Sequence, residues 1–203
     1  MKNPYLYGYL PLFTILLFSL TFGIYMVSHS MSLFQSIGIY AGMREFLSEM
    51  ELKVFLLILF TLCFFMLFSA LKLIGETIHE LGMLFFSKDQ NGETMSVARG
   101  GYVIFFIGAL LSAVGIQSLP LLVIILGITV TVYFVYTIYK MSHFMSVTGL
   151  VGLIFFEILF WTLFCTVIAY ILIKLYNGVI ASLPFMKGAT EVAPFILVHY
   201  CVK

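Results

Sequence analysis

The fold is decided by residues 53–86, which read KVFLLILFTLCFFMLFSALKLIGETIHELGMLFF. The first part of this stretch, residues 54–71, contains no charged side chain over eighteen positions. A helix needs about 20 mostly apolar residues to cross the hydrocarbon layer of a bilayer, so this run predicts a transmembrane helix. Lipid, not water, is therefore the expected environment of this helix.

Beyond residue 71 the same stretch becomes amphipathic but stays compatible with a helix. Its polar side chains fall at i, i+4, i+7 and i+8, which is one helix face; they are Lys72, Glu76, His79 and Glu80. The single glycines at 75 and 82 are tolerated within a helix. We therefore expect one long helix that crosses the membrane, continues past it and ends near Ser87.

Composition places the rest of the chain in the membrane as well. Of 203 residues, 63% are hydrophobic and 9% are charged, whereas a soluble domain carries about 25% charged residues. A soluble core of this length cannot bury so much apolar surface, so lipid must cover most of it. The net charge of +1 provides no basic patch, which argues against nucleic acid as a partner.

Charge-free runs predict an all-α polytopic bundle of five transmembrane helices. The expected spans are residues 5–27, 54–73, 101–117, 119–139 and 149–174, in one membrane domain at 1–184 that is followed by a short tail at 185–203. Residues 28–51 are expected to form a loop, because Gly38 and Gly42 argue against one continuous helix. The cations Lys72, Lys88 and Arg99 near span ends favour a cytoplasmic N-terminus in the plasma membrane.

The third predicted span carries a regular row of small residues. Gly101, Gly108 and Gly115 recur every seven residues, with Ser112 on the same side. Small residues on one face let helix backbones approach closely, so we predict that this span is the packing centre of the bundle. A substrate groove along this face is the functional alternative.

The string HELGM at residues 79–83 resembles the His-Glu-x-Gly-His string of intramembrane zinc proteases. That chemistry needs two histidines one helical turn apart to hold zinc, and a glutamate between them as general base. Here Met83 stands in place of the second histidine, and no predicted span contains the aspartate that supplies the family's third ligand. The string therefore indicates a degenerate metal site at most.

Glu76 and His79 also have the Glu-x-x-His spacing of di-iron helix bundles. A complete site would need a second such pair from another copy of the chain, with Glu157 or Glu80 as the extra carboxylates. His143 is a further candidate on the same membrane side. The alternative is a solvated polar face in which Lys72 and Glu76 form an i,i+4 ion pair, worth only about 0.3–0.5 kcal/mol. Both interpretations stay open at this point.

Glu157 is the only carboxylate within a predicted span, and Lys72 is an ionisable residue near the end of another. It lies about 12 Å along the fifth helix, counted from Gly149 at 1.5 Å per residue. A carboxylate inside the membrane is costly and is a functional candidate by default. The alternative is a protonated or paired glutamate that fixes helix packing. Because a lysine stem can reach along apolar surface to a charge partner, we predict that Lys72 pairs with Glu157.

Read end to end, the chain resembles the YufK-like membrane proteins of Bacillus and its relatives. The stretches that carry the resemblance are YAGMREFLS at 40–48, ETIHELGMLFFSKD at 76–89 and KLYNG at 174–178. The resemblance covers most of the chain up to about residue 184. It implies a bacterial plasma-membrane protein of this uncharacterised multi-pass family, and it supplies no activity, ligand or catalytic residue.

The sequence thus favours a non-enzymatic multi-pass protein that acts through partners or as a membrane accessory factor. The expected partners are the lipid bilayer and either another membrane protein or a second copy of the chain, and no cofactor is expected. A small transporter or proton-coupled carrier that uses Glu157 is the first alternative. A degenerate metal-binding enzyme that uses Glu76, His79 and Glu80 is the second.

Overall fold

The computed structural model describes residues 4–87, 99–142 and 145–182 of the chain. Within these ranges the regular structure is helical throughout, with no strand, which confirms the all-α fold class. The helices are α1 (Pro4–Ile37), α2 (Ile39–Met43), α3 (Glu49–Phe86), α4 (Tyr102–Ser112), α5 (Leu119–Met141) and α6 (Val147–Ser182). Short 3-10 turns at Arg99–Gly101 and Ala113–Gly115 flank α4.

Five of these helices are apolar, as predicted for a membrane bundle. Four of them are long and apolar enough to cross a bilayer: α1, α3, α5 and α6. The fifth, α4, is only 11 residues long, but the 3-10 turns at its two ends rise about 2 Å per residue and extend the element to about 28 Å. That length is close to the hydrocarbon thickness of about 30 Å.

The long helix α3 forms as predicted, and it begins earlier than the charge-free run does. Ser48 caps it: the Ser48 side chain accepts from the backbone N–H of Glu51, and the Glu51 carboxylate accepts from the backbone N–H of Ser48. This reciprocal capping box satisfies two N–H groups that a helix start leaves without partners. The helix then runs for 38 residues, about 57 Å, without a break to Phe86, and Ser87 is its C-cap.

The prediction of a loop over residues 28–51 is wrong for residues 28–37, 39–43 and 49–51, which are helical. α1 continues to Ile37, because Met31 packs in one cluster with Leu52 and Leu56 of α3. The serines in this part satisfy their hydroxyls on carbonyls of their own helix: Ser28 donates to Ile24 O, and Ser36 donates to Leu33 O. The break falls at Gly38, whose φ of +82° suits glycine. Gly42, also taken as a breaker, lies inside the short helix α2.

Helix α1 lies at the centre of the contacts, packing along α3 and also against α4. At Gly23 the two long helices approach closely, since an added Cβ would lie 2.6 Å from Thr61 Oγ1. Aromatic rings fill the same seam, where Phe22 meets Phe68 edge-on at 5.3 Å between ring centroids. Among the buried apolar residues of the described ranges, seven fall into two clusters, one of Phe18, Phe22, Ala109 and Leu122 and one of Met31, Leu52 and Leu56.

Helices α4 and α5 form a hairpin, and its turn falls at the predicted boundary between the third and fourth spans. α5 begins at Leu119 with Pro120 in its first turn, where proline costs no helix hydrogen bond. The chain divides into two compact units, Met1–Ile154 and Phe155–Lys203, and the division falls within α6. The predicted tail at 185–203 lies outside the described residues.

Candidate functional site

A polar cluster lies where the charges of α3 begin. The Tyr102 hydroxyl donates to Glu76 Oε1 over 2.8 Å, and the Lys72 ammonium lies 2.7 Å from the same oxygen. Lys72 Nζ also lies 5.8 Å from the centroid of the Tyr102 ring, which is a cation–π distance. The i,i+4 ion pair that the sequence suggested is therefore present, and Tyr102 connects it to α4.

The cluster turns the polar side of α3 towards the protein. The side chains of Lys72 and Glu76 are only 33% and 36% exposed. These two residues therefore do not form the fully solvated polar face that the sequence suggested as one alternative. Several apolar side chains of the same segment point outwards instead, and Leu73 and Leu84 are 66% and 75% exposed. This end of α3 therefore uses Lys72 and Glu76 for internal packing and presents leucines together with Glu80 on its surface.

The structure gives no support to a metal centre at the HELGM string. Within the described residues, no three His, Cys, Asp or Glu side chains converge in a way that could hold a metal ion. His79 is half-buried and Glu80 is exposed, while His143 lies outside the described residues. Glu76, the third proposed ligand, is occupied by Lys72 and Tyr102.

Glu157 lies on α6 and is buried, with 5% of its surface exposed. It belongs to the second compact unit, whereas Lys72 belongs to the first. The pairing of Glu157 with Lys72 stays a prediction.

The glycines of the third span all face α5. At each of them an added Cβ would press on a side chain of that helix, so glycine is what permits the close approach. The neighbours are Tyr133 for Gly101, at 2.6 Å, Thr129 for Gly108, and Leu122 and Ile125 for Gly115, each at 3.2 Å.

Ser112, grouped with these glycines from the sequence, makes its contact with a different helix. Its hydroxyl lies 3.0 Å from that of Thr21 on α1, and both residues are buried. Each hydroxyl also donates to a carbonyl of its own helix, Ser112 to Ala109 O and Thr21 to Phe18 O. Two hydroxyl protons cannot make three hydrogen bonds at once, so the link between the helices competes with these local bonds.

A polar groove between α1 and α3 was missed at the sequence level. It has a volume of about 510 Å³ and is lined by Val27, Ser28, Met31, Ser32, Gln35, Glu49 and Lys53. Lys53 Nζ donates to Glu49 Oε1 over 2.6 Å, and this hydrogen bond, followed by the lysine charge, lowers the pKa of the Glu49 carboxyl. The groove depends on the helical form of residues 28–37, which were expected to be a loop, so no sequence signal placed these side chains together.

Four helices long and apolar enough to cross a bilayer, with a fifth, shorter apolar helix, define a multi-pass α-helical membrane protein. The chain belongs to a family of unknown function, DUF5366, whose model matches residues 11–184. It is similar to the uncharacterized membrane protein YufK of Bacillus subtilis (strain 168), with 42% identity over 184 residues, which is 91% of this chain and all of the relative. The family resemblance drawn from the sequence is thereby confirmed. No solved structure matches the chain.

Proposed function

We propose that this is a non-enzymatic accessory protein of the plasma membrane that binds a second membrane protein through the exposed end of α3. The surface in question, the α3 end face, consists of Leu73, Thr77, Glu80, Leu81 and Leu84. These side chains fall at i, i+4, i+7, i+8 and i+11, which brings them to one side of the helix. The exposed leucines on this face are the observation that carries the proposal.

Helix length argues that lipid tails do not cover the whole of this face. From residue 54 to Phe86 the helix is about 50 Å long. Even at a tilt of about 40°, the upper end of the usual range, it would rise about 38 Å through a hydrocarbon layer of about 30 Å. With residue 54 at one boundary, Leu84 then lies beyond the other.

Charge on the same face supports this placement. Glu80 is exposed and lies on the helix side that also carries Leu73 and Leu84. A carboxylate facing lipid tails would be costly, so this side belongs in a more polar environment. Leucines exposed there are stabilised when another protein covers them, and the centre of a protein interface is typically apolar.

The internal pairing of the cluster supports a non-enzymatic role. Glu76 is held by Lys72 and Tyr102, and a catalytic acid or base would instead have to reach a substrate proton directly or through one water. The proposal therefore assigns these groups to joining α3 and α4.

Site-specific photo-crosslinking in native membranes tests the partner directly. Benzoylphenylalanine placed at Leu84 should give a discrete adduct with another membrane protein. The matched control is Ile58, which is 63% exposed on the same helix within the charge-free run and should give lipid adducts alone.

Three outcomes would contradict the partner proposal. One is the absence of a protein adduct at Leu84 and Leu81, and the second is an equal adduct at Ile58. The third is an adduct of twice the chain mass that maps to the chain itself, which would show self-association. Glu80→Lys should weaken a genuine adduct, because it reverses the one charge on the face.

A second candidate function rests on the burial of Glu157. An ionisable side chain buried in a membrane helix is a candidate for proton-coupled transport. The test is proton flux into liposomes that contain the purified chain, with Glu157→Gln as the variant and Glu45→Gln as the control. Flux lost in the first variant and kept in the second would support this function. Flux no greater than in protein-free liposomes would reject it.

We also propose that the N-terminus is cytoplasmic. The support is the position of Lys72, Lys88 and Arg99 near span ends on one predicted side, since short cytoplasmic loops carry an excess of lysine and arginine.

A further inference from the structure

The groove between α1 and α3 lies where lipid headgroups are found. Lys53 immediately precedes the eighteen-residue run without charge, so it marks one boundary of the hydrocarbon layer. Val27 and Met31 give the groove an apolar part, and Ser28, Ser32 and Gln35 give it a polar part. A molecule that fits here must be amphiphilic, with its polar end beside the ion pair.

The ion pair specifies the polar end of that molecule. Glu49 and Lys53 offer one negative and one positive charge, one helical turn apart, and their side chains are about half exposed, at 47% and 48%. A lysine ammonium has three N–H donors, and Glu49 Oε1 uses one of them. A zwitterion can therefore place its anion on Lys53 and its cation on Glu49 while the original pair persists.

The surrounding charges favour a zwitterion over an anionic lipid. Residues 44–53 contain the two cations Arg44 and Lys53 and the three carboxylates Glu45, Glu49 and Glu51. The segment is therefore net negative and would repel a headgroup that carries phosphate alone.

We propose that this groove is a binding site for phosphatidylethanolamine. The lipid phosphate lies at Lys53, the ammonium at Glu49, and the glycerol with the first part of an acyl chain lies along Val27 and Met31. An ethanolamine ammonium carries three N–H donors that a carboxylate can accept, whereas choline carries none, so Glu49 selects ethanolamine. The volume of about 510 Å³ falls in the range of small-molecule sites, about 300–1,000 Å³.

Native mass spectrometry of the full chain tests the site. Detergent-purified protein is incubated with dioleoyl phosphatidylethanolamine, phosphatidylcholine or phosphatidylglycerol at equal mole fractions. We expect phosphatidylethanolamine to be retained about tenfold more strongly than phosphatidylcholine, the difference made by one charge-assisted hydrogen bond. Glu49→Gln should remove this preference. Lys53→Met should lower the retention of both phosphatidylethanolamine and phosphatidylcholine, because both carry a phosphate.

Matched variants separate the site from general effects of charge. Glu45 is exposed on the same stretch and does not line the groove, so Glu45→Gln should keep the preference. Ser32→Phe fills the groove at an exposed position without touching its charges, and it should lower retention of phosphatidylethanolamine about tenfold.

Several results would overturn the proposal. These are equal retention of the three lipids, stronger retention of phosphatidylglycerol, and a preference that survives both Glu49→Gln and Ser32→Phe. Displacement of the lipid by an equal concentration of soluble glycerophosphoethanolamine would show that the ligand is a soluble compound rather than a lipid.

Discussion

Replacing Gly108 by alanine should destabilise the protein, although alanine is normally the better helix former. The added Cβ would collide with Thr129, whose Oγ1, Cγ2 and Cβ are its three nearest atoms. Thr129 cannot easily move away, because its branched side chain is stiff at χ1 and its hydroxyl donates to Ile125 O over 2.7 Å. The methyl group must therefore push α4 and α5 apart or break that hydrogen bond.

Two opposing effects set the size of this change. Overpacking a close contact costs about 1–3 kcal/mol, whereas replacing glycine by alanine inside a helix gains about 0.5–1 kcal/mol. At the middle of both ranges the packing term is the larger, about 2 against about 0.75 kcal/mol, so the net loss should be about 1 kcal/mol. The free energy of unfolding can be measured by titrating detergent-solubilised protein with sodium dodecyl sulfate.

Gly127→Ala is the matched control, because nothing lies within 4 Å of the Cβ it would add to α5. It should stabilise the protein by about 0.5–1 kcal/mol, so the two variants should change stability in opposite directions. Thr129→Ala in the Gly108→Ala background should recover part of the loss, since it removes the hydroxyl and methyl groups that collide. Equal effects of Gly108→Ala and Gly127→Ala would refute the close approach of the two helices.

Three further predictions concern the charges and the topology. Tyr102→Phe should lower stability by about 1 kcal/mol, because it removes the hydrogen bond between α4 and Glu76; an unchanged free energy of unfolding would show that the bond contributes nothing. If Lys72 pairs with Glu157, the double variant Lys72→Met/Glu157→Gln should lose less stability than the sum of the single losses, and strict additivity would exclude the pair. In a chain freed of its native cysteines, Glu45→Cys and Gln90→Cys should react with an impermeant maleimide from opposite membrane sides, and labelling from one side alone would contradict the five-span topology.

The sequence predicts the helices well, because in a membrane the same few forces act over long stretches. In lipid, the backbone N–H and C=O groups must form hydrogen bonds within their own segment. A charge-free run of eighteen residues is therefore expected to be helical. The uninterrupted apolar period correctly predicts that α3 continues to Phe86. Pro120 marks the start of α5 by the conformation that proline fixes.

The continuation of α1 through residues 28–37 could not be predicted from a charge-free run in the same way. Residues 28–37 contain four serines and a glutamine, a composition that is typical of a loop as well as of a helix end. Packing decides the matter: Met31 is buried in one cluster with Leu52 and Leu56 of α3. These partners lie at least 21 positions away in the sequence, and a local pattern carries no information about them. The groove beside Glu49 exists only because of this packing, so it escaped prediction for the same reason.

The end of α3 shows how a correct face assignment can still mislead about function. The period places Lys72, Glu76, His79 and Glu80 on one side, but it does not say whether that side meets water, lipid or another helix. Tyr102, 26 residues beyond Glu76 in the sequence, donates a hydrogen bond to the Glu76 carboxylate. A metal site would have needed this carboxylate as a ligand. A string such as HELGM can bind a metal or catalyse a reaction only when its polar atoms point into one common site. Here Glu76 instead contacts Lys72 and Tyr102 of the protein itself. The surface left for recognition is the neighbouring exposed side that carries Leu73, Leu81 and Leu84, and this makes the α3 end face the place to look for a partner.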